Sequence, residues 1–117
     1  MALNLANTAT ITAKTLAASI TMNATSILVN ANSSNSIYKI NNIMISNYSA
    51  NTVTSNVYIS RGAVPYYIVG LVSVPSNSTY VVMGKDTQIY LEEGDSLVTS
   101  GGANSAMTIL AGYELLS

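Results

Sequence analysis

Apolar and polar residues alternate with a period of two along most of the chain, the spacing of strands that turn one face to a core. In VTSNVYIS, residues 53–60, Val53, Val57 and Ile59 fall on one side, and Thr54, Asn56, Tyr58 and Ser60 on the other. Residues 106–116 alternate likewise, with Met107, Ile109, Ala111, Tyr113 and Leu115 against Thr108, Leu110, Gly112, Glu114 and Leu116. SIYKINNIMIS, residues 36–46, predicts a long strand whose Asn41-Asn42 pair breaks the alternation and marks a bulge. YYIVGLVSV, residues 66–74, is apolar on both faces, which predicts cover on both faces, the second from another subunit. Shorter strands are predicted over 26–30, 79–83, 87–91 and 95–99. ATITAKT alternates as a strand, although Ala13, Leu16, Ala17 and Ile20 also fit one helical face. Its Thr and Ile content favours the strand.

Stretches rich in Gly, Pro, Asn or Ser separate these runs, at 30–35, 49–51, 61–65, 75–78, 84–86 and 100–104. Turn signals spaced by about 8 to 12 residues predict an all-β sandwich or barrel. The expected fold is a single-domain antiparallel β-sandwich over residues 1–117, jelly-roll-like, with about eight strands. An extended N-terminal arm is expected over residues 1–8.

Composition narrows the chemistry. At 117 residues the chain fits one domain. Charged residues are 8% of it, roughly a third of the usual share, while Ser, Thr and Asn supply 41 residues. Such a surface does little to keep copies apart. Net charge is −1, and Lys14, Lys39, Arg61 and Lys85 are scattered, which argues against nucleic-acid binding. There is no cysteine, and no histidine to serve as metal ligand or general base. The N-terminus does not read as a secretory signal, and no apolar run is long enough to predict a membrane span. Asn-x-Ser/Thr matches at Asn23, Asn32, Asn47 and Asn77 are about as many as composition gives by chance.

The candidate sites reduce to a few stretches. IYLEEGDSL, residues 89–97, holds Glu92, Glu93 and Asp95, three of the five acids. Paired carboxylates or a Ca²⁺ site would need a ligand loop or a second catalytic group, and neither is present. Gly94 and Asp95 suit a tight reversal, so the stretch reads as a turn. Tyr66 and Tyr67 project to opposite faces and suit packing, protein contact or a sugar platform. Arg61-Gly62 reads as a solvated loop, and SGGAN, residues 100–104, as a loop without the Lys-Ser/Thr of a phosphate cradle. Without histidine a Ser-His-Asp site is excluded. No catalytic, cofactor-binding or metal-ligating residue is assigned.

VSVPSNSTYVVMGKDTQIYLEEGDSL (residues 72–97), with IYKINNIMISN upstream and AGYELLS at the end, resembles small virion proteins of tailed bacteriophages of the cyanophage and marine-phage type. The resemblance spans roughly residues 24 to 117 and departs from the pattern at Gln88. It implies a compact sandwich used as an assembly part, carrying over no catalytic or contact residue. The function expected is that of a capsid cement or decoration protein, not an enzyme, stabilising the phage head by binding major capsid subunits. Alternatives are a neck, baseplate or tail-fibre component and, more distantly, a carbohydrate- or receptor-binding module. The expected location is the virion, after assembly in the host cytoplasm. The expected partners are the major capsid protein or other virion proteins and further copies of the chain, as a trimer, with no nucleic acid, membrane or cofactor. Candidate contact residues are Tyr66, Tyr67, Ile68, Val69 and Leu71, with Met1, Leu3 and Leu5 of the arm.

Overall fold

The computed structural model describes residues 11–84 and 87–116. These residues hold β1 (Ile11–Ile20), β2 (Thr25–Val29), β3 (Ile37–Asn47), β4 (Val53–Arg61), β5 (Val64–Val74), β6 (Ser78–Met83), β7 (Ile89–Leu91), β8 (Ser96–Gly101) and β9 (Met107–Leu116). They form two antiparallel sheets, one in the order β1-β9-β3-β6 with β7 also on β3, the other β2-β8-β4-β5. β6 and β7 pair successive parts of one side of β3, Met83 opposite Ile43 and Ile89 opposite Ile40. They act as one edge strand interrupted by residues 84–88, so eight strand positions are filled. Apart from the β4–β5 hairpin and the β6–β7 step, successive connections pass between the sheets in the jelly-roll manner. The expected arm, with Met1, Leu3 and Leu5, lies outside the described residues.

The alternating positions do what their spacing predicts. Ile43, Ile45, Met107 and Ile109 from one sheet meet Val57 and Leu97 from the other, all without solvent exposure. The part of the ATITAKT stretch that is described, from Ile11 on, lies in β1, a strand and not a helix. The register of β3 on β9 slips between Ile40 and Asn42, where the Asn pair predicted a bulge. There Asn42 Oδ1 accepts from Gly112 N at 2.8 Å, and a Cβ on Gly112 would sit 2.6 Å from the same oxygen. Gly112→Ala is therefore expected to cost about 1–2 kcal/mol, read as a lower urea midpoint, by losing that bond and crowding the bulge.

Two predicted turns and the start of one predicted strand are corrected. The 61–65 turn is a two-residue hairpin, Gly62 and Ala63, both at φ near +60°. Two positive φ values make the primed turn whose twist matches its flanking strands. Pro65 lies inside β5, which tolerates it because an edge strand has one side that needs no donor. The 100–104 loop starts later than predicted, since Ser100 and Gly101 complete β8 opposite Asn56 and Ser55. Conversely, Thr87 and Gln88 precede β7, where Thr87 N and Oγ1 both donate to Gly84 O.

A buried asparagine ties the sheets together at each end of the sandwich. At one end Asn47 Nδ2 donates to Asn51 O at 2.8 Å and to Val74 O at 2.9 Å. Its Oδ1 accepts from Ser49 N and Ser49 Oγ. At the other end Asn30 Nδ2 donates to Ser36 O and Leu91 O, both at 2.9 Å, and Ser34 Oγ donates to its Oδ1. Each amide thereby satisfies one backbone carbonyl in a buried bond, Val74 O or Leu91 O, and one nearer the surface.

Candidate functional site

The acidic stretch closes the end of the molecule that carries the 62–63 hairpin. Glu92 to Asp95 is a turn in which Asp95 N donates to Glu92 O at 3.0 Å, and Gly94 sits at φ +91°. Only glycine adopts that geometry cheaply. A Cβ there would also meet Asn32 Oδ1 at 2.7 Å. Gly94 N donates to Asn30 O and Asn30 N donates to Asp95 O, which fixes the turn to the end of β2. Asn35 N donates to Glu93 Oε2.

Asp95 is 2% exposed, and Arg61 holds it in a fork. Arg61 Nε donates to Oδ1 at 2.9 Å and Nη2 to Oδ2 at 2.6 Å. Glu92 N donates to Oδ2 at 2.8 Å, and Arg61 Nη2 also reaches Glu92 Oε2 at 3.2 Å. Burial alone would push the Asp95 carboxyl up, but the Arg61 fork and the Glu92 amide hold it below the usual carboxylate range. The same fork raises the already high Arg61 pKa. The Arg61-Gly62 reading as a free solvated loop is thus corrected, since Arg61 is the internal counterion of the acidic turn. The arrangement presents a satisfied ion pair. Among the described residues there is no group of three or more Asp or Glu placed to hold a metal ion.

The candidate contact residues divide. Tyr66 and Tyr67 are 58% and 59% exposed, on opposite faces of β5. Tyr66 pairs with Ile59 and, with Ile59 and Arg61, lines an open hollow of about 270 Å³. Tyr67 leans on Tyr58, with ring centroids 4.9 Å apart. Ile68 and Val69 are half-buried against the core. Leu71 is 70% exposed at φ +52°, a left-handed conformation that is strained for a leucine. Asn56 Oδ1 accepts from Leu71 N at 2.7 Å and holds it there.

β5 ends one sheet and the β6–β7 line ends the other, and the short 75–77 connection places both on one flank. That flank adds residues the sequence reading missed, namely exposed Val64 beside Arg61, Val81 on β6 and Tyr90 on β7. Together with Tyr66, Tyr67 and Leu71 they make six of the ten large exposed hydrophobic residues among the described residues. Pro65 within β5 was a sequence signal for an edge strand, but nothing in the sequence shows which two edges share a flank.

No protein-family model matches the chain, and no curated protein matches it in sequence. Among solved structures it is similar to a chain described under "Bacillus endospore appendages form a novel family of disulfide-linked pili". The TM-score is 0.54 at 16% identity, over 92% of this chain and 88% of that one. A second similar chain is the nucleoplasmin-like N-terminal domain of Drosophila FKBP39, with TM-score 0.45 at 11% identity, over 97% and 88% of the two chains. What the appendage chain shares with this one is the two-sheet sandwich.

Proposed function

We propose that the chain is a structural assembly protein without catalytic activity, a cement protein that stabilises a phage head by binding neighbouring major capsid subunits. The carrying observation is the β5/β6–β7 flank, where six exposed large apolar side chains border two strands that have no outer neighbour among the described residues. Unpaired edges and exposed apolar side chains are means by which sandwiches attach to other proteins. Burying such surface contributes roughly 25 cal/mol per Å² before the cost of association. Many copies per particle make a modest contact sufficient. The resemblance of residues 24–117 to phage virion proteins supports the choice of particle. The appendage subunits are described as disulfide-linked, whereas this chain has no cysteine and must hold its neighbours without such links.

Leu71 offers a test that separates function from stability. Strain kept at an exposed position is expected where the side chain serves a contact. Leu71→Asn relieves the strain, because Asn tolerates positive φ, and removes the apolar side chain. The isolated variant should melt at an equal or higher temperature, by roughly 0.5–1 kcal/mol, yet bind particles more weakly. Densitometry of purified virions against the major capsid band tests the reading directly. Hundreds of copies per particle fit cement, small multiples of three, five or six fit a neck or tail part, and absence from particles ends the proposal.

A further inference from the structure

We propose that the opposite flank pairs two copies of this chain, β1 against β1 across a two-fold axis, joining the two β1-containing sheets into one continuous sheet. Four strand lines end the sheets, and three of them are built to stop a ladder. β5 carries two register slips against β4, near Ile68 and Leu71. β2 has five residues and a slip between Ser26 and Leu28. The β6–β7 line slips at Met44 and is broken at residues 84–88. β1 has none of these defences. Its ten residues pair with β9 in unbroken register from Ile11–Leu116 to Ile20–Met107. Bulges, breaks, shortness and charged side chains are how proteins guard edges. Among the described residues β1 carries only the charge of Lys14, so an even edge of this length is a pairing template.

The occupant follows from the strand's own sequence. ITAKTLAASI carries a single charge, Lys14, and the whole chain has net charge −1, so a second copy meets little repulsion. A two-fold axis normal to the sheet keeps each residue on its own face, so odd positions must meet odd positions. Thr15 opposite Thr15 satisfies this, with Ala13 opposite Ala17, Lys14 opposite Leu16 and Ile11 opposite Ser19. No like charges then face each other, and the central threonines suit a cross-strand hydrogen bond. Centring on Leu16 would instead need Ile20, which is fully buried against Gly101. Thr15 is exposed on the outer face of its sheet. The pairing goes beyond the cement reading and does not depend on it, because it uses the other flank and leaves both β5/β6–β7 flanks of the pair open.

Sedimentation equilibrium on the full chain tests this. The wild type should form dimers in the micromolar range. Thr15→Lys and Thr15→Glu, each placing like charges at the axis, should each weaken dimerisation at least tenfold, about the effect of one such clash. An equimolar mixture of the two should restore a dimer, which misfolded variants would not do. Tyr67→Lys, on the other flank, should dimerise as the wild type does while losing attachment to particles. A monomeric wild type, a Thr15→Lys dimer of unchanged affinity, a mixture that stays monomeric, or loss of the dimer in Tyr67→Lys overturns the pairing.

Discussion

Asp95→Ala is expected to destabilise the chain by about 3 kcal/mol at pH 7, read as the urea midpoint with unchanged slope. The carboxylate takes both arms of the Arg61 fork and caps the Glu92 amide, so one truncation removes three hydrogen bonds from the closed end. Arg61 is half-exposed and can turn to water, which keeps the cost at the lower end of the range for a broken buried pair. The pH dependence has a definite sign. The folded pKa of Asp95 lies below its unfolded value, so its contribution is complete above the ordinary carboxylate value of about 4. The contribution is lost as pH falls from there through the folded pKa. The wild type should lose stability over that window, while Asp95→Ala, already without the pair, should show a shallower acid slope. Equal acid slopes in the two proteins would remove Asp95 from the account.

Asn47→Leu is expected to cost a similar amount, about 3 kcal/mol, in thermal melts. Leucine keeps the approximate volume but leaves Val74 O and Asn51 O without their donor and Ser49 N without its acceptor. Each buried polar group so orphaned costs about 1–3 kcal/mol, with relief only for those near the loop surface. Asn47→Asp is the informative companion. It retains an acceptor for Ser49 but brings a carboxylate against two carbonyl oxygens, so it should be at least as damaging at neutral pH and recover in part on acidification. That is the opposite acid response to the one Asp95 gives the wild type.

The strands were legible because each has one buried face, and a period of two survives any detail of packing. β5 shows where that logic stops. Its two apolar faces predicted cover on both sides, the second from another subunit, and Val69, Val72 and Val74 turn toward this chain's own core. Val64, Tyr66, Tyr67 and Leu71 remain exposed. A single sequence does not separate these because the slips near Ile68 and Leu71 shift the alternation midway along the strand. The Arg61–Asp95 pair was hidden for a different reason. The two residues stand 34 positions apart, and only the register that sets Ser60 opposite Ser96 brings them side by side. Turn chemistry at Gly94 was readable locally, whereas the counterion was a matter of long-range pairing.

The pairing of Ile11 with Leu116 carries a mechanical consequence. Tension applied through these two positions would draw β1 and β9 apart from one end and rupture their rungs singly, which needs little force. Tension carried sideways between the two flanks loads many rungs together. A subunit of this design withstands stretching through its neighbours far better than stretching through its own backbone, a difference that single-molecule pulling from the two kinds of attachment point would read directly.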